Sequence, residues 1–279
     1  MSRSLHDDSF RSAPGQTARC RPDSNAAARE PQARDGKILY SLRQQRYRLN
    51  SSQSQLLQEL GAFRTVTAAS LQNHVYRGDE KRFGQDLRSL KNQDLLTVRP
   101  SSRINGGYLS LTKAGRNLTE AHLRTNPEQA IYAGIVNKRG LRHDAAMYDM
   151  YRQEAQTIAG SGGTPRRVVL DFELKKHVNF QLSKIQRLSR AEREPRKLEI
   201  ARAHGLKVVG GRIQFPDVRI EFESRDQEPR TVDLECVTRS YGARAVAAKS
   251  AAGFKLYNQD YRGKSAERGQ DLVGEVLSL

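Results

Sequence analysis

The chain has 279 residues, 37% of them hydrophobic, and a formal net charge of +17, which suits two modest domains and excludes a membrane-embedded protein. No apolar run reaches the ~20 residues a spanning helix needs, and the first ten residues, MSRSLHDDSF, lack the apolar segment of a secretory signal. Cys20 and Cys236 are too far apart in sequence for metal-ligand spacing or a disulfide framework, so a reducing cytoplasm is the expected location.

Residues 1–36 carry six arginines against five acids, which leaves +16 on the remainder. An excess of that size favours a polyanionic partner through counterion release, and nucleic acid is the commonest one. A membrane surface is less favoured, because the chain has no Trp and no basic amphipathic helix with an aromatic edge.

In chain order, residues 1–36 lack apolar periodicity and read as a disordered leader. Ser51–Ala62 starts with a capping-type serine and places Leu56, Leu57 and Leu60 on one stripe, which predicts a helix. A second short helix is expected in TVTAASLQNHVY, with Val66, Ala69 and Leu71 inward, and a third over Asp79–Gln93. LLTVRPSSRINGGYLSLTKAG alternates, turns at Asn105-Gly106-Gly107 and alternates again, a hairpin signal. Thr112–Arg124 predicts a closing helix. Three helices, a hairpin and a closing helix look like a winged helix-turn-helix domain over residues 37–127.

Within the third helix Phe83, Leu87 and Leu90 are spaced for the core, leaving Lys81, Arg82, Gln85 and Arg88 outward. Those donors suit phosphates and base edges in a major groove, and Arg99 and Arg103 flank the hairpin wing. The expected partner is double-stranded DNA; a solvated helix face used for protein contacts is the alternative.

Residues 128–279 read as a second domain of α/β or α+β class. After a connector, a helix is expected from His143 to about Ile158, a glycine break at 160–163, and the strand RVVLDFELK. A basic helical stretch over Phe180–His204 with a break at Glu194-Pro195 follows, then a turn at Gly210-Gly211 and a hairpin. A last helix is expected over Ala243–Tyr257.

The hairpin, FPDVRIEFESRDQEPRTVDLECVTRSY (215–241), carries the chemistry. A turn centred on Asp226 sets Asp217 opposite Glu235 and Arg219 opposite Asp233, and puts Val218, Ile220, Leu234 and Cys236 on the apolar face. Two opposed carboxylates repel unless a cation or proton lies between them, and magnesium suits such oxygen ligands. The same alternation fits an ordinary half-buried strand pair with a solvated outer face.

Pro216-Asp217 at a strand start, an acid-containing triplet on the next strand and a following helix resemble the PD-(D/E)xK nuclease core. That resemblance implies Asp217 and Glu235 as magnesium ligands. Val237 stands at the lysine position, so Lys249 on the next helix becomes the replacement amine, with Lys255 and Arg239 as weaker substitutes. Glu173, on a strand face shared with Asp171, reads equally as a third catalytic acid or as a surface acid paired with Lys175 or Lys176. Leu141-Arg142-His143-Asp144, VVLDFELK, HGLKVVGGRIQFPD and Glu235-Cys236-Val237-Thr238, behind a winged helix, resemble the replication-relaxation family.

This family likeness implies a DNA-processing protein of a plasmid or integrative element, possible Mg²⁺-dependent endonuclease activity, and a relaxase or replication protein as partner; a homodimer is compatible. The alternative is a winged-helix regulator whose nuclease-like domain has lost catalysis, and a third is an accessory protein that recruits a relaxase. His143-Asp144 reads as a cap of its helix in preference to a general base with its orienting carboxylate.

Overall fold

The computed structural model describes residues 29–34, 36–135, 140–238 and 241–258. Among them the chain is mixed α/β, with four small sheets. Among the described residues no helix is long and apolar enough to cross a membrane.

The N-terminal unit opens on β1 (Arg29–Arg34), β2 (Lys37–Leu42) and β3 (Gln45–Leu49), an antiparallel sheet in that order. The expected leader is thus corrected at residues 29–34, which pair with β2. REPQAR has no apolar alternation to announce a strand, and its pairing is made by main chain. Residues 1–28 lie outside the described residues.

Helix α1 (Ser51–Ala62) is capped by Asn50, not a serine: Asn50 and Gln53 exchange side-chain and backbone bonds in a capping box. After β4 (Val66–Thr67), Thr67 caps α2 (Ala68–Tyr76) and Asp79 caps α3 (Glu80–Asn92). Ala68, not Ala69, is the buried alanine of α2. β5 (Leu96–Arg99) and β6 (Tyr108–Leu111) form the hairpin, with β4 on the far edge, giving the order β4-β6-β5. Thr112 caps α4 (Lys113–Leu118), which runs into one wider turn at Thr119–Leu123. A Cβ on Gly115 would lie 1.8 Å from the Leu95 carbonyl oxygen, so only glycine lets α4 close against the hairpin.

One buried carboxylate ties these helices together. Asp86, 7% exposed in the middle of α3, accepts from Asn50 Nδ2 (3.0 and 3.3 Å), Gln53 Nε2 (2.9 Å) and Tyr76 Oη (3.1 Å). It thereby joins the start of α1 and the end of α2 to α3.

The C-terminal unit begins with α5 (Leu141–Gly160) and continues through β7 (Thr164–Leu170), α6 (Asp171–Lys184) and α7 (Arg190–Ala203). The helical break falls between residues 184 and 190, not at Pro195, which lies inside α7; Ser189 and Glu192 start that helix with a capping box. A small hairpin, β8 (Val208–Val209) and β9 (Arg212–Ile213), turns at Gly210-Gly211. Next come β10 (Val218–Glu223), β11 (Pro229–Val237), α8 (Ala243–Ala251) and β12 (Lys255–Asn258). The expected last helix therefore ends at Ala251, and residues 255–258 form a strand instead. They pair parallel to β11, closing a sheet of order β12-β11-β10-β7 whose other pairings are antiparallel.

Helix α5 belongs to both units. Tyr148 is fully buried and meets Phe63 edge-on with ring centroids 5.3 Å apart. Its hydroxyl donates to Glu59 of α1, which also takes Arg152 Nη1 at 3.1 Å. Met147, Met150 and Ile158 continue the same hydrophobic cluster into Val168, Ile220 and Leu234 of the four-stranded sheet. The sequence boundary at 127 and 128 thus crosses one continuous core.

Replacing Asp86 by alanine strands three donors in that core, and loss of about 2–4 kcal/mol of stability is expected. Urea unfolding of Asp86→Ala against Asp86→Asn, which keeps an acceptor, reads it; equal stability of Asp86→Ala and the wild type would refute the tie.

Candidate functional site

The hairpin register is the one alternation requires. Val218 pairs with Leu234 and Arg219 with Asp233, so Asp217 and Glu235 face each other at the next step. On the other edge Val218 pairs with Leu170, and Asp171 N–H donates to the Asp217 carbonyl at 3.1 Å. Asp171, Asp217 and Glu235 therefore lie in one row across the end of the sheet.

The polar face of the hairpin is not solvated at this end. Arg219, 6% exposed, forks onto Asp233 with Nε–Oδ1 at 2.7 Å and Nη2–Oδ2 at 2.8 Å. It also donates to the carbonyls of His204 (2.6 Å) and Gly205 (3.0 Å), satisfying the C-terminus of α7. The same face is closed further along by α8, where Lys249 turns inward.

Lys249 Nζ stands 2.9 Å from Glu235 Oε1 and donates to the Phe215 carbonyl at 2.5 Å. Tyr241 Oη donates to the same Glu235 oxygen at 2.6 Å. Glu235 is fully buried, and its other oxygen, Oε2, has no hydrogen-bond partner among the described residues. Burial, reinforced by the neighbouring Asp217 charge, raises the Glu235 pKa against the pull of Tyr241 and Lys249. Asp217 Oδ2 accepts the Cys236 N–H at 2.8 Å and lies 3.3 Å from His143 Nε2. That bond to Asp217 raises the His143 pKa in spite of burial. Burial likewise raises Asp144, and pushes the Cys236 thiol up to about 12.

Of the residues expected at the site, Asp217, Glu235 and Lys249 converge, and Glu173 does not join them. The strand ends at Leu170, so Glu173 falls in the first turn of α6, where acids are favoured by the helix dipole. There it accepts from Tyr132 Oη at 2.7 Å and pairs with Arg167. On a helix i and i+2 no longer share a face, which removes the link to Asp171; Lys175 pairs with Asp171 instead. Lys255, with Tyr257, is committed to the buried Glu154 at 2.6 and 2.9 Å. Arg239 lies outside the described residues.

His143 is no cap: α5 is capped by Gly140, and His143 uses its first-turn position to reach Asp217. Tyr241 and Asp171 went unread as site residues. Asp171 was detectable only from the pairing of β7 with β10, which sequence alternation does not specify.

The donor set is of the oxygen type that a divalent cation takes. The orphaned, buried Glu235 oxygen beside a second carboxylate is what magnesium would satisfy, and magnesium commonly keeps several waters. Among the described residues no group of three or more His, Cys, Asp or Glu is placed to hold a metal ion. Asp217 and Glu235 would hold the ion, with water supplying the rest.

The nucleic-acid face expected on α3 has its side chains outward. Lys81, Arg82, Gln85 and Arg88 are exposed, Phe83 and Leu90 are buried, and Leu87 packs against them. Arg99 is half-buried on β5 and Arg103 is exposed in the wing.

Removing Lys249 leaves Glu235 buried beside Asp217 without its paired ammonium, so Lys249→Met is expected to lose about 3 kcal/mol. Adding Glu235→Gln to that variant should restore part of the loss, and a double-mutant cycle by chemical unfolding measures the coupling. Comparison with known proteins gives no matching family model, no matching curated protein and no matching solved structure.

Proposed function

We propose that this is a DNA-processing protein, acting in replication or mobilisation of a plasmid or integrative element. A winged helix docks on duplex DNA, and a nuclease-like domain cuts a phosphodiester bond with Mg²⁺. The observation that carries the reading is the 2.9 Å approach of Lys249 Nζ to Glu235 Oε1, opposite Asp217. An amine delivered from the following helix occupies the role left open by Val237. Pro216-Asp217 at a strand start and Glu235 on the paired strand support the same reading.

In the proposed reaction Asp217 and Glu235 are the metal carboxylates. Magnesium, when bound, supplies Lewis-acid polarisation of the phosphate and a lower pKa for a coordinated water. His143 holds Asp217 in place through Oδ2, and Tyr241 orients Glu235 through Oε1. Lys249, already desolvated beside Glu235, is positioned to stabilise charge developing on the phosphate oxygens. Docking draws on Lys81, Arg82, Gln85 and Arg88 in the major groove, with Arg99 and Arg103 on the backbone.

A second reading, a regulator with a silent nuclease-like domain, is favoured by the diversion of Glu173 to Tyr132 and Arg167.

Supercoiled plasmid incubated with Mg²⁺ or Mn²⁺ separates the two. Nicking that falls at least about 100-fold in Asp217→Ala/Glu235→Ala and in Lys249→Ala is the expected result, the scale of losing a charge-stabilising group. No nicking by the wild type, together with a discrete footprint on DNA, establishes the regulator instead.

A further inference from the structure

Residues 37–49 were assigned no role from sequence, and the fold places them beside the outward face of α3. In the β2–β3 hairpin Tyr40 pairs with Tyr47 and Ile38 with Leu49; Tyr40, Tyr47 and Leu49 enter the core. Alternation then puts Lys37, Arg46 and Arg48 together on the opposite face: Arg48 pairs with Leu39, Arg46 with Ser41, and Lys37 lies two residues before Leu39. All three are exposed.

That face is fixed against α3. Gln93, just past the helix, accepts the Arg48 N–H through Oε1 at 2.9 Å and returns a bond from Nε2 to the Arg48 carbonyl at 3.2 Å. Between hairpin and helix run two adjoining grooves of about 560 and 600 Å³, which share Lys37 and Ser89 as lining residues. Lys37, Arg46 and Arg48 supply cations from the hairpin side, and Lys81 and Arg82 from the helix.

Among the described residues these charges meet no acidic partner. Among the described residues Lys37, Arg46, Arg48 and Lys81 form no ion pair, and Arg82 hydrogen-bonds only a neutral partner, Ser52, with its guanidinium. The two acids lining the groove are already engaged: Asp86 by Asn50, Gln53 and Tyr76, and Asp79 as the cap of α3. What remains is an open channel with cations on both walls and polar amides at its end.

We propose that the β2–β3 hairpin is a second backbone clamp, in which Lys37, Arg46 and Arg48 bind one sugar-phosphate strand of the duplex whose major groove receives α3. This rests on the DNA-docking reading and adds to it a sequence-independent contact outside the helix-turn-helix and its wing. Phosphates are the fitting occupant because the channel gathers exposed cations that form no ion pair among the described residues, beside polar groups such as Asn50, Gln53, Ser89 and Gln93. The clamp adds affinity and salt dependence, while α3 carries selection among sequences.

The test uses the full chain and labelled duplex DNA, with fluorescence anisotropy over a salt series. Each phosphate contact contributes about 0.9 to the slope of log K against log salt concentration, so Lys37→Ala/Arg46→Ala/Arg48→Ala should flatten it by about 2.7. Affinity should fall by a similar factor on every duplex tried. Lys81→Ala/Arg82→Ala/Arg88→Ala should in contrast reduce discrimination between a selected site and random duplex. A hairpin variant that binds with wild-type affinity and slope, while the α3 variant is impaired, overturns the clamp and leaves docking intact. Failure of the wild type to bind any duplex overturns both. Because the three hairpin side chains are exposed, an unchanged thermal midpoint is expected and ties any loss to contact rather than to folding.

Discussion

The contact between α5 and α1 is the constraint on which the rest of the molecule depends. Tyr148 has no exposed surface, stacks edge-on against Phe63, and shares Glu59 with Arg152. A buried hydroxyl and a guanidinium on one carboxylate fix both the rotation and the height of α5 on the N-terminal unit. Five residues earlier, about 7.5 Å along the axis, the same helix presents His143 to Asp217. The outward face of α3 and the carboxylate row are therefore both referred to α5, which contacts α1 through Tyr148 and Asp217 through His143.

The carboxylate row is a local compromise between stability and chemistry. Glu235 is buried beside Asp217, and burial plus like charge work against its ionised form. Lys249 and Tyr241 counter that penalty without removing it, since one Glu235 oxygen keeps no partner among the described residues. A site evolved only to stabilise the fold would fill this position with an apolar side chain. The energetic tension itself is a reason to look for a cation there.

Much of this was legible in the sequence because it depends on short-range periodicity. The alternation of Val218, Ile220, Leu234 and Cys236 fixed the register that opposes Asp217 to Glu235, and the spacing of Phe83, Leu87 and Leu90 oriented α3. What was not legible depends on pairing between distant segments. REPQAR carries no strand pattern, yet its main chain completes a sheet. Glu173 reads as a strand residue until Asp171 is seen to start a helix. Asp86 sits on a polar-looking stretch, and only Asn50, Gln53 and Tyr76, far off in sequence, explain its burial. Lys255 belongs to a strand because β11 offers it a parallel edge, which no local helix propensity encodes.

The excursion between β7 and β10 has a consequence for how this architecture tolerates change. The chain leaves the sheet at Leu170 and returns at Val218, its own pairing partner, and the Asp171 N–H closes the gap on the Asp217 carbonyl. Arg219 then ties the end of α7 to the same strand. Everything between those points is a loop whose two ends meet, so its entropic cost grows only slowly with its length. Within the excursion Val178 of α6 and Ala201 of α7 bury against Leu206 in a small core of their own. The acid at the base of β10 is thus placed by the pairing of Val218 with Leu170 and not by the length of the excursion.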